Sequence, residues 1–409
     1  MFRSDSIFAY RGWWIVTSLF AASAITVGSS HYAFSIFVQP LQDEFGWSRT
    51  QINASLSFAA LGSLTAPLWG KLIDKFGSKY VLAVCLAMFG LSFLLRPFMD
   101  KLWHWYALSA LQFIGFSGAA PLPAGKLVGV WFQQMRGRLM GFTMMGNNFG
   151  GLVLPPMVGA IVIIASWEAA YTCLGLITIC IVILGLIAIK ESPSGSAKSR
   201  FTKNMQSQDI TGLSLNEALH KKSFYLINAS ILLGTFTYGA ALPQIFSHLT
   251  NEGVSTSTAS QAVAVLALFG MVGKIGFGYL SEQITARYSL MICLGGQAIF
   301  LVTILGSENS VVMWASVVFF GLCMGAFGAL MQLIVQEGFG IKSFGSIMGS
   351  INLASVIPLA LGPIIAGISF DRTGSYQSAF IAVAIMFLIA IILLWYAGAP
   401  SFRFGSRSD

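Results

Sequence analysis

Charge is what this sequence has least of. Only 9% of its 409 residues are Asp, Glu, Lys or Arg, and 56% are hydrophobic. A soluble domain needs about 25% charged residues to dress its surface, so a water-facing globule is excluded and a polytopic membrane protein is indicated. Acidic residues are scarcer than basic ones, 15 against 23, which leaves a net charge of +8. With the N-terminus inside and twelve spans, Arg49, Arg96, Lys101 and Arg372 fall outside and Lys274 is embedded. The other 18 Lys and Arg are placed on the cytoplasmic side. That is the positive-inside pattern, and it removes the need for a nucleic-acid partner. The five cysteines (Cys85, Cys173, Cys180, Cys293, Cys323) all lie in apolar runs and make no C-x-x-C pair, so neither a metal site nor a disulfide framework is expected. There is no Walker sequence, no metal-spaced His/Cys cluster and no defensible nucleophile–base pair. The expectation is a chain that is not an enzyme and carries no cofactor or metal.

What the sequence does have is long apolar runs. MFRSDSIFAYR is followed by about 28 uncharged residues, Gly12 to Gln39, too long for a signal-peptide core and read as an uncleaved first span. Further spans are predicted near 48–70, 80–99, 103–132, 138–164, 167–189, 223–248, 258–282, 288–306, 311–335, 344–369 and 376–398. Pro121 and Pro123 break the fourth, which a membrane helix tolerates when neighbours satisfy the freed carbonyls. Between spans six and seven, ESPSGSAKSRFTKNMQSQD is polar and reads as a linker, followed by a short amphipathic helix in LSLNEALHKK. The domains are therefore 1–190, a cytoplasmic linker 191–222, and 223–409.

The halves repeat. Gly70-x-x-x-Asp74 and Gly278-x-x-x-Glu282 are 208 positions apart, and so are GRLMG at 137–141 and GSIMG at 345–349. Two short motifs at one offset indicate duplicated six-helix halves.

Lys274 stands out among the embedded residues. It lies about 6 Å from the middle of the eighth span, where an ammonium costs at least roughly 2.5–3.5 kcal/mol, and no other charged residue lies this deep. It is predicted to receive a negatively charged substrate; the competing reading is a lysine snorkelling to the cytoplasmic surface. His31, on a polar stripe with Ser23, Thr26 and Ser30, is a candidate for hydrogen-bonding substrate or relaying a proton, or else a neutral interhelical histidine. Tyr238 lies next to the repeat mate of His31, so the pair is predicted to face a central cavity; a packing tyrosine with a satisfied hydroxyl is the alternative. Asn147 and Asn148 are costly in lipid and serve either as glue between helices or as substrate contacts, and Gln332 carries the same ambiguity.

GKLIDKFGSK (70–79) closely resembles the signature loop between helices 2 and 3 of the major facilitator superfamily. Asp74 can accept hydrogen bonds at a helix end and pair with a basic residue such as Arg136, latching the cytoplasmic side. Within that superfamily the chain is similar to monocarboxylate transporters and their oxalate–formate antiporter relatives. RGWWIV (11–16) resembles their helix-1 entry signature, and GPIIAGISFDRTGSYQSAF (362–380) the bacterial members' helix 11–12 junction. WFQQMRGRLMGFTMMG (131–146) is like their helix 4–5 signature, with Gln133, Gln134 and Met135 replacing most of its basic cluster. The resemblance implies an aspartate and, four residues later, a carboxylate-binding arginine in helix 8. Here Gly270 and Lys274 stand at those positions. Lysine supplies a point charge without the bidentate fork, and a buried lysine exchanges its proton readily, so Lys274 itself can couple substrate to protons. The antiporter resemblance would add a cation in helix 11, where this chain has none and carries polar groups such as Asn352 and Ser355. One embedded cation suits one carboxylate.

The sequence thus predicts an all-α membrane protein of twelve transmembrane helices in two pseudo-symmetric six-helix bundles, the major facilitator fold. Its predicted function is alternating-access transport of a small organic anion, most simply a monocarboxylate, with proton symport. Lys274, His31, Tyr238, Asn147 and Asn352 are the expected substrate-binding residues, and Asp74, Arg136 and Glu282 the gating ones. A carboxylate exchanger, an exporter of amphipathic compounds and a membrane sensor that moves nothing are the rivals. The expected setting is a bacterial inner membrane, both termini cytoplasmic, with a monomer as the working unit.

Overall fold

The computed structural model describes residues 11–132, 134–191, 212–305 and 310–398. Most of the predicted linker, at 192–211, and both chain ends lie outside the described residues, which contain helices and no strand. Eleven helices are long and apolar enough to cross a membrane, and a bent pair completes twelve. They are α1 (Gly12–Tyr32), α2 (Gln51–Phe76), α3 (Ser78–Phe98), α4 (the pair Leu102–Ile114 and Phe116–Trp131), α5 (Arg136–Ile164) and α6 (Trp167–Ala188). After the linker come α7 (Lys222–Asn251), α8 (Ser257–Ile284), α9 (Ala286–Leu305), α10 (Val311–Phe339), α11 (Phe344–Thr373) and α12 (Gln377–Tyr396). The short predicted amphipathic helix is present at Leu215–Leu219, started by a capping box between Ser214 and Glu217. The protein is a multi-pass membrane protein.

The described chain forms two compact units. Of the described residues, the first comprises 11–132, 142–191, 212 and 341–350, and the second 134–141, 213–305, 310–340 and 351–398. The first unit shows how a broken span survives in lipid. The halves of α4 meet at 49° across Gly115, and a second interruption falls at Ala120, directly before the first of the expected prolines. Proline disfavours the helical conformation in the residue before it, and Ala120 is indeed pushed to φ −150°, ψ −53°. Beside the bend, the Ile114 carbonyl accepts from Thr65 Oγ1 at 2.9 Å and from Trp69 Nε1 at 2.6 Å, while Ser117 donates to the Gly62 carbonyl. Polar contacts with α2 thus tie down both sides of the bend.

The repeated motifs turn out to be partners across helices. In the first unit, the GSIMG start of α11 lies on the end of α2, and a Cβ at Gly345 would stand 2.4 Å from the Gly70 carbonyl oxygen. In the second unit, the GRLMG start of α5 lies on the end of α8, and a Cβ at Gly137 would stand 2.1 Å from the Gly278 carbonyl oxygen. Glycine at all four places is what permits backbone-to-backbone contact. The carboxylates follow the same symmetry. Asp74 accepts from the backbone N–H of Gly345 (3.2 Å) and Ser346 (2.7 Å), and Glu282 from that of Arg138 (2.9 Å). Each carboxylate sits at the start of another helix, where orphan N–H groups and the positive dipole end favour it.

The symmetry breaks at one backbone position. Gly77 follows Asp74 by three residues and turns with φ 91°, ψ 161°; its mate after Glu282 is Thr285, at φ 128°, ψ 155°. Glycine adopts this conformation without steric penalty. A β-branched threonine holds it at a cost on the order of 1–3 kcal/mol, the kind of strain that surrounding structure has to enforce.

Candidate functional site

In the second unit, Lys274 lies four residues past the middle of the helix Thr256–Ile284 and is 7% exposed. The exposed face of α8 is the stripe Leu268, Val272, Ile275 and Tyr279. At 100° per residue, Lys274 projects about 130° away from the centre of that stripe, towards protein. Burial at this depth argues against the snorkelling alternative, which needs an exposed head group.

Small residues hold α8 in place. Leu266, Gly270 and Gly273 meet Gly321, Gly325 and Leu322 of α10 backbone to backbone, and a Cβ at Gly273 would stand 1.9 Å from the Leu322 carbonyl oxygen. A Cβ at Gly141, in the α5 motif, would stand 2.1 Å from the carbonyl oxygen of Lys274 itself. The backbone carrying the cation is thus gripped by two helices. Tyr238 shares this arrangement, because its hydroxyl donates to the Met324 carbonyl at 3.2 Å on the same α10 turn. That bond matches the packing alternative for Tyr238, and it also brings α7 to the α10 turn that touches α8. Asn352 is half-buried in α11, close to the helix interruption at Ser355.

In the first unit, His31 is exposed, with its ring 5.9 Å from Phe116 and 6.4 Å from Phe113. Asn147 is half-buried on α5 between Gly146 and Gly150, which pack on the α1 carbonyls of Phe20 and Ala24. Asn147 thus lies at the α1–α5 contact, and His31, further along α1, faces the aromatic rings of α4. His31 and Tyr238 also share a local geometry not expected from the sequence. Each lies in a π-helical turn, Gly28–Tyr32 in α1 and Thr237–Ala241 in α7. Single π turns inside α-helices occur often at functional sites.

The charged residues pair differently from the expectation. Asp74 pairs with Lys126 at 3.0 Å; Arg136, its predicted partner, instead reaches Glu337 at 3.0 Å with both side chains under a tenth exposed. Glu337 also accepts from the Ala286 N–H at 2.9 Å, and Glu282 pairs with Arg138 at 2.8 Å. Sequence reasoning passed over Lys126 and Glu337. Both stand in apolar surroundings, LPAGKLVGV and LIVQEGF, a signal that was legible. It also passed over Arg96, only 4% exposed, because an arginine that ends a span and precedes a proline looks solvated.

The model of the Major Facilitator Superfamily matches residues 19–357 and 224–406. The chain belongs to the Major Facilitator Superfamily. This major facilitator is 26% identical to monocarboxylate transporter 12 of Rattus norvegicus over 420 residues, covering 94% of this chain and 85% of that one. It is 24% identical to the hexuronate transporter of Bacillus subtilis, with 92% and 93% covered. Among solved structures, the proton:xylose symporter XylE superposes with a TM-score of 0.74 at 15% identity, covering 95% of this chain and 96% of that one. The human organic anion transporter MFSD10 does so with 0.68 at 16%, covering 94% and 99%. As a major facilitator, the protein is a transporter of small molecules and not an enzyme.

Proposed function

We propose that this transporter moves a small organic anion, most simply a monocarboxylate, by alternating access and together with a proton. The observation that carries the proposal is the buried Lys274 in the middle of α8. Ionisable groups placed within a span are functional candidates by default, and a cation there is complementary to an arriving carboxylate. The relatives' names point the same way, since monocarboxylate and hexuronate are both carboxylates. His31, Asn147, Asn352 and Tyr238 are proposed to shape the rest of the binding region. One lysine without a bidentate fork favours a single carboxylate over a dicarboxylate.

The positive-inside pattern supports termini and linker in the cytoplasm of a bacterial cell, with the Asp74 and Glu282 ends of α2 and α8 on that side. Both carboxylates would then work as latches that release as that side opens, with the Arg136–Glu337 pair accompanying Glu282 in the second unit. Asp74→Asn should therefore slow turnover more than it weakens binding. A variant with normal maximal rate and a large loss of affinity would exclude the latch.

The transport test uses purified protein in liposomes with a labelled monocarboxylate. Uptake should rise as the external pH falls, because each monoanion enters with a proton, and a protonophore should abolish the pH-driven component. Carboxylate counterflow that moves no protons would make the protein an exchanger. Transport of amphipathic cations and no carboxylate would overturn the proposal.

A further inference from the structure

The π turn of α1 is tied to the rest of the first unit by a chain of buried polar groups. Arg96 is 4% exposed, its guanidinium 4.5 Å from the ring centre of Trp105 and 4.6 Å from that of Tyr171. It donates to Gln112 Oε1 at 2.7 Å, and more weakly to Ser109 Oγ at 3.4 Å. Gln112 Nε2 in turn donates to Ser30 Oγ at 2.8 Å. Ser30 lies inside the π turn, directly before His31; it is 2% exposed, whereas His31 is open.

The direction of this chain is forced. A guanidinium can only donate, so it claims the amide oxygen of Gln112 and leaves the amide NH2 to face Ser30. The cation is held between aromatic faces, where it gains cation–π stabilisation, so the amide it orients has little freedom. A π turn is a rare backbone state that persists only where its surroundings enforce it. The second unit repeats the device independently. There the π turn Thr237–Ala241 is tied by Thr237 Oγ1 donating to Gln297 Oε1 at 2.6 Å, both buried, and the next residue is Tyr238.

We infer that Gln112, oriented by Arg96, is a positioning residue that pins the α1 π turn through Ser30 and so sets the direction in which His31 is presented to substrate. This inference rests on the proposal that His31 borders the substrate's route. The chain explains why a charged residue at the end of α3 folds inward. Its work is done two links away, on the helix that carries the candidate contact.

The test reads geometry rather than transport. His31→Cys is reacted with a small cationic methanethiosulfonate, and the wild-type chain labelled in parallel supplies the background of the five native cysteines. Ser30→Ala, Gln112→Leu and Arg96→Met, each added to His31→Cys, should change the modification rate by about fivefold or more, because an unpinned π turn relaxes towards regular helix. Gln112→Glu should keep the rate within about twofold, since its two oxygens accept from Arg96 and from the Ser30 hydroxyl and preserve both links. Ser30→Ala removes a single oxygen and guards against a mere folding defect. Unchanged rates in Ser30→Ala and Gln112→Leu would overturn the inference. So would a Gln112→Glu variant that behaves like Gln112→Leu, which would assign the role to the charge of Arg96. No substrate is needed, so failure here leaves the carboxylate proposal standing, and the reverse also holds.

Discussion

Lys274→Gln is expected to abolish saturable monocarboxylate uptake. Truncating one side of a buried charge pair costs about 2–5 kcal/mol, roughly 30-fold to several thousand-fold in affinity. The loss should be complete within assay limits, because α11, where the antiporter resemblance implies a second cation, offers only Asn352 and Ser355 as polar groups between Ile351 and Ser369. Lys274→Arg should retain part of the activity. It preserves the positive charge, but a larger planar head must fit beside a backbone clasped by Gly141 and Gly325. Uptake by Lys274→Gln at the wild-type rate would return the amphipathic-exporter reading to first place.

The second large effect concerns stability. Arg136→Met leaves Glu337 under a tenth exposed and stripped of its 3.0 Å cationic partner, with the Ala286 N–H still donating to it. Removing one member of a buried ion pair costs about 3–5 kcal/mol, whereas replacing both by apolar residues is often neutral. Arg136→Met should therefore melt well below wild type and accumulate poorly, and Arg136→Met/Glu337→Met should recover most of the loss. A thermal-unfolding cycle over the four variants measures the coupling. Additive losses would mean that the two side chains act separately.

How much of this was legible beforehand depends on the range of the physics involved. Spans were readable because an apolar run either crosses a bilayer or does not. The interruption at Ala120 was readable as proline chemistry, since proline constrains the residue before itself, whereas the 49° bend at Gly115 was not. The 208-residue repeat was visible as two motifs. That Gly137 rests on Gly278, and Gly345 on Gly70, is a tertiary fact no local pattern contains. Ion pairing was the weakest inference: Asp74 was matched with Arg136 and pairs with Lys126 instead, because helix packing alone decides which basic residue reaches it. The π turns left no usable mark: GSSHY and TYGAA are both compatible with ordinary helix, and buried glutamines 60 or more positions away help hold them. Lys274 was readable at once, since a charge in a long apolar run is conspicuous whatever surrounds it.

The central claim is that Lys274 receives the carboxylate, and equilibrium binding tests it without the complications of turnover. Thermal shifts of the purified protein would be recorded with a series of small monocarboxylates and with their neutral amides, for wild type and Lys274→Gln. A ligand that binds the folded state raises its melting temperature, and above Kd the rise grows with the logarithm of ligand concentration. If Lys274 receives the carboxylate, at least one monocarboxylate gives such a concentration-dependent rise in wild type, its amide gives none, and neither gives one in Lys274→Gln. A carboxylate that stabilises Lys274→Gln as strongly as wild type would contradict it.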